Sequence, residues 1–196
     1  MTVMQQQQLR IILDARTLDS QQWRGIGRSL FRLYCHIALL RPQWQVVLVH
    51  RGISGRQLSG VCFNATDHRI DFPGDRWDLW GRMRLPVEAW RLGGHVLHAP
   101  ANVGPELSPV PVVLTVHDTI GLENDADNRA NGFLRRHVIR AARRAARILT
   151  PSRYSRQCLI DNLGVEAEKI IVCPWAADPD FHPITDSAAL IDVRRR

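Results

Sequence analysis

The sequence has a single lysine, Lys169, and it lacks several common catalytic signatures. A G-x-x-x-x-G-K-[ST] phosphate loop needs a lysine after its last glycine, and Lys169 follows a glutamate, so a P-loop is excluded. No serine stands in a G-x-S-x-G pattern, which excludes the nucleophile elbow of the α/β-hydrolases. No apolar run is long enough to cross a bilayer. Residues 1–8 contain four consecutive glutamines and no apolar core, so we expect no secretory signal.

Cysteine and histidine are also arranged without a metal-binding pattern. The four cysteines form no C-x-x-C pair, and a chain of 196 residues needs no disulfide staples. We therefore predict reduced thiols and a cytoplasmic protein. The eight histidines do not cluster at the spacing of metal ligands, which argues against a zinc site.

The charge that is present is mostly arginine. Basic residues number 26 and acidic residues 19, a net charge of +7, while 45% of the residues are hydrophobic. This composition excludes a disordered chain and is typical of one globular domain. Arginine favours bidentate pairing with phosphate and carboxylate groups. The positive net charge therefore predicts an anionic partner, but it does not identify that partner.

Short apolar runs alternate with helical patterns along the chain. The runs predict strands at 10–14, 45–50, 95–98, 112–116, 148–150 and 169–173, with a further short strand at 69–72. The 3.6-residue patterns predict helices at 28–40, 77–83, 86–93, 129–147 and 153–163. Buried strands that alternate with helices indicate an α/β domain, a parallel sheet covered on both faces. Ligands bind such sheets at the carboxyl ends of the strands.

One candidate site is the segment Arg24-Gly-Ile-Gly-Arg28, which leads into the first predicted helix. Glycines let backbone N–H groups approach a phosphate, and a helix N-terminus is partly positive. An ordinary turn explains the same pattern equally well. The segment is not a dinucleotide fingerprint, because Leu30 takes the place of the third glycine and eleven positions separate Asp14 from Gly25.

A second candidate is His117, which directly follows the strand predicted at 112–116. At this strand end the side chain would point into the cleft and could bind a hydroxyl or a phosphate. The alternative is a structural histidine whose ring bonds the backbone. Asp118 is interpreted as a cap or as a residue that orients His117. Ser152 is predicted to cap the helix at 153–163.

Tryptophan and arginine are interleaved between residues 76 and 91. Such a mixture suits a membrane interface, an anionic lipid-linked acceptor or single-stranded nucleic acid. The alternative, which we favour, is a helix that packs its tryptophans on the sheet and leaves its arginines solvated. The candidate contact residues are Trp77, Trp80, Arg82 and Arg84. A second arginine stripe, at helical spacing within 129–147, is expected to be a solvated face: Arg136, Arg140, Arg143 and Arg147.

Several of these segments, in this order, carry a family resemblance. They are Asp14-Ala-Arg16, Gly25-Ile-Gly-Arg28, Leu85-Pro86, Val96–Pro100, Pro111–Asp118, Ile148–Ser152, Gly164-Val165, Lys169–Pro174 and Asp178–Pro183. The set resembles the N-terminal half of family-4-type (group 1) retaining glycosyltransferases, whose GT-B fold consists of two facing Rossmann-like domains. The resemblance runs from about residue 10 to residue 183.

The resemblance implies a hexosyltransferase that moves a sugar, with a mannosyl group as one candidate, from a nucleotide-sugar donor to a saccharide or lipid-linked saccharide. It assigns the donor diphosphate to Gly25, Ile26, Gly27 and Arg28. It places His117 against the donor sugar near the reacting carbon, with Asp118 and Ser152 in support. The leaving phosphate accepts the acceptor's proton, so no separate base, metal or cofactor is expected. Nucleic acid is not an expected partner.

The family's paired glutamates, seven residues apart, belong to its C-terminal domain, and no glutamate pair in this sequence has that spacing. We therefore expect a disordered tail at 1–9, an acceptor-side domain at 10–183 and a linker at 184–196 that leads to an absent C-terminal domain. Alone, this half is expected to be inactive, in the cytoplasm or peripheral at the inner face of the membrane. The alternatives are a non-catalytic interaction module that kept the fold and a nucleotide- or nucleic-acid-binding Rossmann domain.

Overall fold

The computed structural model describes residues 8–19, 22–52, 64–71, 79–119 and 129–177, together with Phe181, Pro183 and Ile191. Its strands are β1 Arg10–Asp14, β2 Gln45–His50, β3 Ala65–Arg69, β4 Val96–Ala99, β5 Val112–Thr115, β6 Arg147–Thr150 and β7 Ile170–Val172. Its helices are α1 Gly25–Leu40, a π-helical turn Trp80–Arg84 that continues into α2 Leu85–Arg91, α3 Arg129–Arg144 and α4 Arg153–Leu163. Within these ranges, the structure contains no helix with the length and apolar character of a membrane span.

The strands form one parallel sheet with the order β3-β2-β1-β4-β5-β6-β7. Ile12 of β1 lies opposite Val47 of β2 on one side and opposite Leu97 of β4 on the other. The strand order therefore reverses direction at β1. Because crossovers between parallel strands are right-handed, this reversal places the helices on opposite faces of the sheet. The predicted Rossmann-like α/β domain is confirmed.

The sheet has a hydrophobic core on each face, and β1 contributes to both. Ile11 and Leu13 pack toward α1, with Leu30 and Tyr34. Ile12 points to the opposite face, because successive strand residues alternate in direction. The helical members of that second core are Trp80, Leu85, Ala89, Ala142, Leu159 and Leu163. Helices α2, α3 and α4 thus cover one face, and α1 covers part of the other.

The third strand lies at Ala65–Arg69, earlier than the predicted 69–72. Its sequence, ATDHR, is polar, and none of its residues is fully buried. Among the described strands β3 is at the edge of the sheet and pairs only with β2. An edge strand can be polar, so hydrophobic patterning does not detect it.

Two helix boundaries also differ from the sequence prediction. Helix α1 begins at Gly25 rather than at Arg28, so the glycine segment is its first turn and not a preceding loop. The two helices predicted at 77–83 and 86–93 are one continuous element from Trp80 to Arg91. Pro86 has no N–H with which to continue an ordinary α-helical ladder, and π-helical turns arise where that ladder is interrupted.

Glu106 joins three elements through its carboxylate. It accepts hydrogen bonds from Arg82 Nη2 of the π-helical turn at 3.0 Å and from His137 Nδ1 of α3 at 2.6 Å. Arg140 of α3 donates through Nε at 2.6 Å and through Nη2 at 3.1 Å. These hydrogen bonds, that of Arg140 above all, lower the pKa of Glu106 to about 2. Glu106 therefore fastens α3 and the π-helical turn to the loop between β4 and β5.

The arginine stripe was expected to be a solvated face, and all four of its members are exposed: Arg136, Arg140 and Arg143 on α3 and Arg147 at the start of β6. Two of them also bond to other parts of the chain. Arg140 contacts Glu106, and Arg143 Nε donates to Leu163 O of α4 at 2.8 Å. Both partners are distant in sequence, so helical spacing alone could not identify them.

Candidate functional site

A cleft of about 990 Å³ lies between α1 and the segment that follows β7. From α1 it is lined by residues that include Ile26, Arg28 and Arg32, and from the following segment by Trp175 and Phe181. The volume is that of a pocket for a nucleotide-sized ligand. His117 lines the same cleft, so two of the segments picked out by the sequence come together here.

The floor of the cleft is built by alternation along β4, β5 and β6. Leu97, Leu114 and Ile148 are fully buried in the core beneath α2, α3 and α4. Their neighbours therefore point to the α1 side of the sheet. These neighbours are His98, Thr115 and Leu149, and all three line the cleft. The order reversal between β1 and β4 lies beside them, which is where ligands bind in open α/β sheets.

The first turn of α1 presents an N-terminus without a side-chain cap. Arg24 is the N-cap residue in extended conformation, its side chain makes no capping hydrogen bond, and the first turn has no acidic residue. The first N–H groups of a helix have no partner within the helix, and they attract an anion. Gly27 is buried against Thr17 O, whereas a Cβ on Gly25 would meet nothing within 4 Å. Gly25 thus leaves open space at the helix start.

His117 leaves the carboxyl end of β5 with its ring in the cleft lining. Its Nε2 lies 2.8 Å from Pro100 O and must carry the proton, because a carbonyl oxygen only accepts. Nδ1 is buried and has no hydrogen-bond partner among the described residues. Trp175 packs against the ring with centroids 5.3 Å apart. The ring therefore bonds the backbone, as the structural alternative requires, and it keeps a free acceptor nitrogen.

Asn102 fixes the backbone at the position of His117. Its φ is 61°, in the left-handed region that asparagine tolerates better than most residues. Its N–H donates to Thr115 O at 2.9 Å, and its Oδ1 accepts the N–H of His117 at 2.7 Å. Asn102 thereby ties the end of β4 to the end of β5. The sequence analysis missed it, because a loop asparagine carries no distinguishing pattern.

Ser152 caps α4, as predicted. Its Oγ accepts the N–H of Ser155 at 3.0 Å and donates to Ser155 Oγ. The Ser155 hydroxyl in turn lies 3.3 Å from His117 O, so the cap connects to the backbone of the candidate residue. Ser152 itself does not line the cleft. Asp118 is exposed and is also outside the lining.

A buried polar chain holds α1 to the cleft floor. Tyr34 Oη lies 2.8 Å from His98 Nδ1, and His98 Nε2 lies 2.8 Å from Thr115 Oγ1. Burial raises the pKa of Tyr34 and lowers the pKa of His98 to about 4. Both groups are therefore neutral at physiological pH. These hydrogen bonds connect one helix with two strands, and no local sequence pattern could reveal them.

The structure corrects the predicted tryptophan–arginine contact surface. Trp80 is fully buried in the core, with the Arg16 guanidinium 4.5 Å from its ring centroid, so it cannot contact an acceptor or a membrane. Arg82 pairs with Glu106, and Arg84 pairs with Glu88 at 2.7 Å. Trp77 lies outside the described residues. The favoured alternative, a tryptophan packed on the sheet, is thus correct for Trp80.

Metal binding has no support in the part of the chain that the structure describes. No group of three or more histidine, cysteine, aspartate or glutamate side chains there is arranged to hold a metal ion. The cleft lining contains two types of polar group instead, imidazole nitrogens and guanidinium groups, at His36, His98, His117, Arg28 and Arg32. These groups suit hydroxyl and phosphate recognition.

Several solved structures are similar in fold to this chain. HepE (Alr3699) of Anabaena, solved with UDP and glucose, has a TM-score of 0.59 and 18% identity, over 96% of this chain and 50% of that one. A glycosyltransferase of Rickettsia africae has a TM-score of 0.52 and 12% identity, over 88% and 44%. The wall teichoic acid polymerase TagF has a TM-score of 0.56 and 11% identity, over 85% and 38%. This chain thus spans half or less of their lengths.

At these identities the structures establish the fold alone, and no curated protein matches the chain. The sequence model of Glycosyltransferase Family 4 matches residues 23–181, most of the chain, including α1, His117 and the segment after β7. The chain belongs to Glycosyltransferase Family 4 and has the fold of the N-terminal domain of a GT-B glycosyltransferase.

Proposed function

We propose that the chain is the acceptor-side half of a retaining glycosyltransferase. It would take a hexosyl group from a nucleotide-sugar donor and pass it to a saccharide or a lipid-linked saccharide in the cytoplasm. One observation carries the proposal: the uncapped start of α1 and His117 line a single cleft at the carboxyl edge of the sheet. A mannosyl donor and a role in polysaccharide synthesis fit this scheme.

The donor diphosphate would lie at the first turn of α1. The N–H groups there have no side-chain cap, and Arg28 lines the cleft beside them. Both features stabilise negative charge, and charge on the leaving diphosphate increases as its bond to the sugar breaks. Gly25 leaves room for the phosphate to approach the backbone. Stabilisation of the leaving group is therefore the main electrostatic contribution of α1.

His117 would contact the donor sugar. With Nε2–H committed to Pro100 O, Nδ1 is the ring's acceptor for a sugar hydroxyl, and because Nδ1 is buried, the hydroxyl would reach it only when side chains packed on the ring, Trp175 among them, move. In the transfer step the bond from the anomeric carbon to the phosphate oxygen breaks, and a bond to the acceptor oxygen forms. The acceptor's hydroxyl proton passes to the leaving phosphate, so the step balances without a separate protein base. Neither a metal nor a cofactor enters this scheme.

The first test is donor turnover by this chain with and without a separately supplied C-terminal half. We expect nucleoside diphosphate release only when both halves are present, because this half alone does not enclose the donor or exclude water. A panel of nucleotide sugars would also identify the donor. If no nucleoside diphosphate is released although both halves are folded, the result would favour a non-catalytic module. Salt-dependent binding of oligonucleotides would instead favour the nucleic-acid reading.

The diphosphate site has a sharper test in a glycine pair. A methyl group at Gly25 meets no atom of the chain within 4 Å, so Gly25→Ala should keep the fold and stability. It should raise the donor KM of the two-half enzyme about tenfold, because the methyl group occupies the space of the phosphate. An unchanged KM in Gly25→Ala would contradict the placement of the diphosphate.

Gly27→Ala is the matched comparison. Its Cβ would lie 2.7 Å from Thr17 O, a backbone atom, so α1 would have to shift. We expect a loss of about 1–3 kcal/mol in the free energy of unfolding, measured by urea denaturation. The pair thus separates a glycine required for packing from a glycine that leaves room for a ligand.

A further inference from the structure

The helix that buries Trp80 exposes a row of apolar side chains on its other side. Met83 and Trp90 are 65% and 63% exposed, and Val87 and Leu79 are 42% and 36% exposed. The four residues are spaced by four, four and three positions, so they follow one face of the helix. We call Leu79, Met83, Val87 and Trp90 the apolar stripe. Single exposed apolar residues are ordinary, whereas an aligned row marks an interaction surface.

The charges beside the apolar stripe are positive. Residues 79–91 contain three arginines and one glutamate, a net charge of +2. The glutamate, Glu88, is buried, and it is contacted by Arg84 at 2.7 Å and by Arg91 at 3.5 Å. Both guanidinium groups remain substantially exposed. Within residues 79–91 the surface therefore offers arginine to a partner and no exposed acidic side chain.

We infer that the apolar stripe docks the protein on a bilayer of anionic lipids. An interfacial helix has an apolar face with tryptophan at headgroup depth and cationic residues at its borders, and it binds by both contributions. The apolar face of this helix consists of Trp90, Met83 and Val87. Its cationic border consists of Arg84 and Arg91. This surface differs from the predicted one, since it uses Trp90 in place of Trp80.

The helix start lies near the carboxyl edge of the sheet. Trp80 contacts Arg16, which lies two positions after the end of β1 and forms a bidentate pair with Asp14, the last residue of that strand. Because this helix covers the sheet face opposite α1, docking by the apolar stripe leaves the cleft, which lies on the α1 side, on the far side of the sheet from the lipid surface. The inference does not depend on the proposed transfer reaction, because it concerns binding alone.

The test is co-sedimentation of the full chain with vesicles of phosphatidylcholine, with and without phosphatidylglycerol. We expect binding to the anionic vesicles, weakened by salt, and a drop of at least about tenfold in the partition coefficient for the double variant Met83→Ser, Trp90→Ser. Leu39→Ser, Leu40→Ser is the matched control: these side chains are 79% and 70% exposed at the end of α1. Its binding should equal that of the unmodified chain.

The charge contribution is tested by Arg91→Gln against Arg136→Gln, which removes the same charge from an exposed position on α3. Only the first should weaken binding to the anionic vesicles. Equal partitioning of the apolar-stripe variant and the unmodified chain would overturn the inference. So would self-association in sedimentation velocity that the apolar-stripe variant abolishes, with no vesicle binding, because the surface would then join two copies.

Discussion

His117→Ala in the assembled two-half enzyme should lower turnover about 100-fold or more, with the fold retained. The ring lines the cleft, and its Nδ1 is the acceptor nitrogen left by the bond from Nε2 to Pro100 O. Alanine removes the ring from the cleft lining and, with it, the acceptor nitrogen. The hydrogen bond from the backbone N–H of residue 117 to Asn102 Oδ1, at 2.7 Å, remains. Single-turnover kinetics would separate this loss from a change in donor affinity.

His117→Gln distinguishes the two roles of the ring. Its side-chain amide can still donate to Pro100 O, so the loop that holds Asn102 keeps its support. If the ring contacts the sugar, the glutamine variant should remain nearly as slow as the alanine variant. Turnover restored by glutamine would assign a purely structural role to His117. Full activity in a well-folded His117→Ala would remove it from the site altogether.

Glu106→Ala should destabilise the fold by about 2–3 kcal/mol at neutral pH. The change leaves His137, which is buried, and Arg82, which is largely buried, without their shared carboxylate. Urea unfolding monitored by circular dichroism would measure the loss. Glu166→Ala is the control, because Glu166 is 69% exposed in its pair with Lys169. The control should change stability by less than about 0.5 kcal/mol. Equal effects in both variants would contradict the role of Glu106.

The same carboxylate makes stability depend on pH. The pKa of Glu106 is lowered from 4.5 to about 2, so the unfolded chain takes up its proton first as the pH falls. The stabilisation is complete above the unfolded value and disappears as the pH falls from 4.5 to about 2. Glu106→Gln should therefore lose less stability than the unmodified chain over this range. If the stability of Glu106→Gln and that of the unmodified chain decline equally over this pH range, other carboxylates control acid unfolding.

The sequence was sufficient where the structural cause is local. The apolar runs of β1 and β2 predict both strands with their observed ends, since buried parallel strands must be apolar. Ser152 and Gly164 predict the limits of α4, because one caps its start and the other, with a φ of 60°, ends it. The polar edge strand β3 has no such signature and was misplaced.

The sequence was insufficient where contacts join distant residues. The interleaved tryptophans and arginines could not show which ring faces the core, so Trp80 stayed among the candidate contact residues although a tryptophan packed on the sheet was favoured. Glu106 meets His137 across 31 positions, and Tyr34 meets His98 across 64. The placement of Arg28 and His117 around one cleft follows from strand order, which the sequence indicates only through the family resemblance.

The strand order has a consequence for biosynthesis. Of the seven described strands, β1 leaves the ribosome before the others, yet it occupies an interior position and pairs with both β2 and β4. Once β3 has emerged, the nascent chain can form three strands, but the edge of β1 that will bind Val96–Ala99 is still open and apolar. Such an edge is a template for aggregation. The yield of folded protein should therefore depend on how quickly translation passes from Asp71 to Val96.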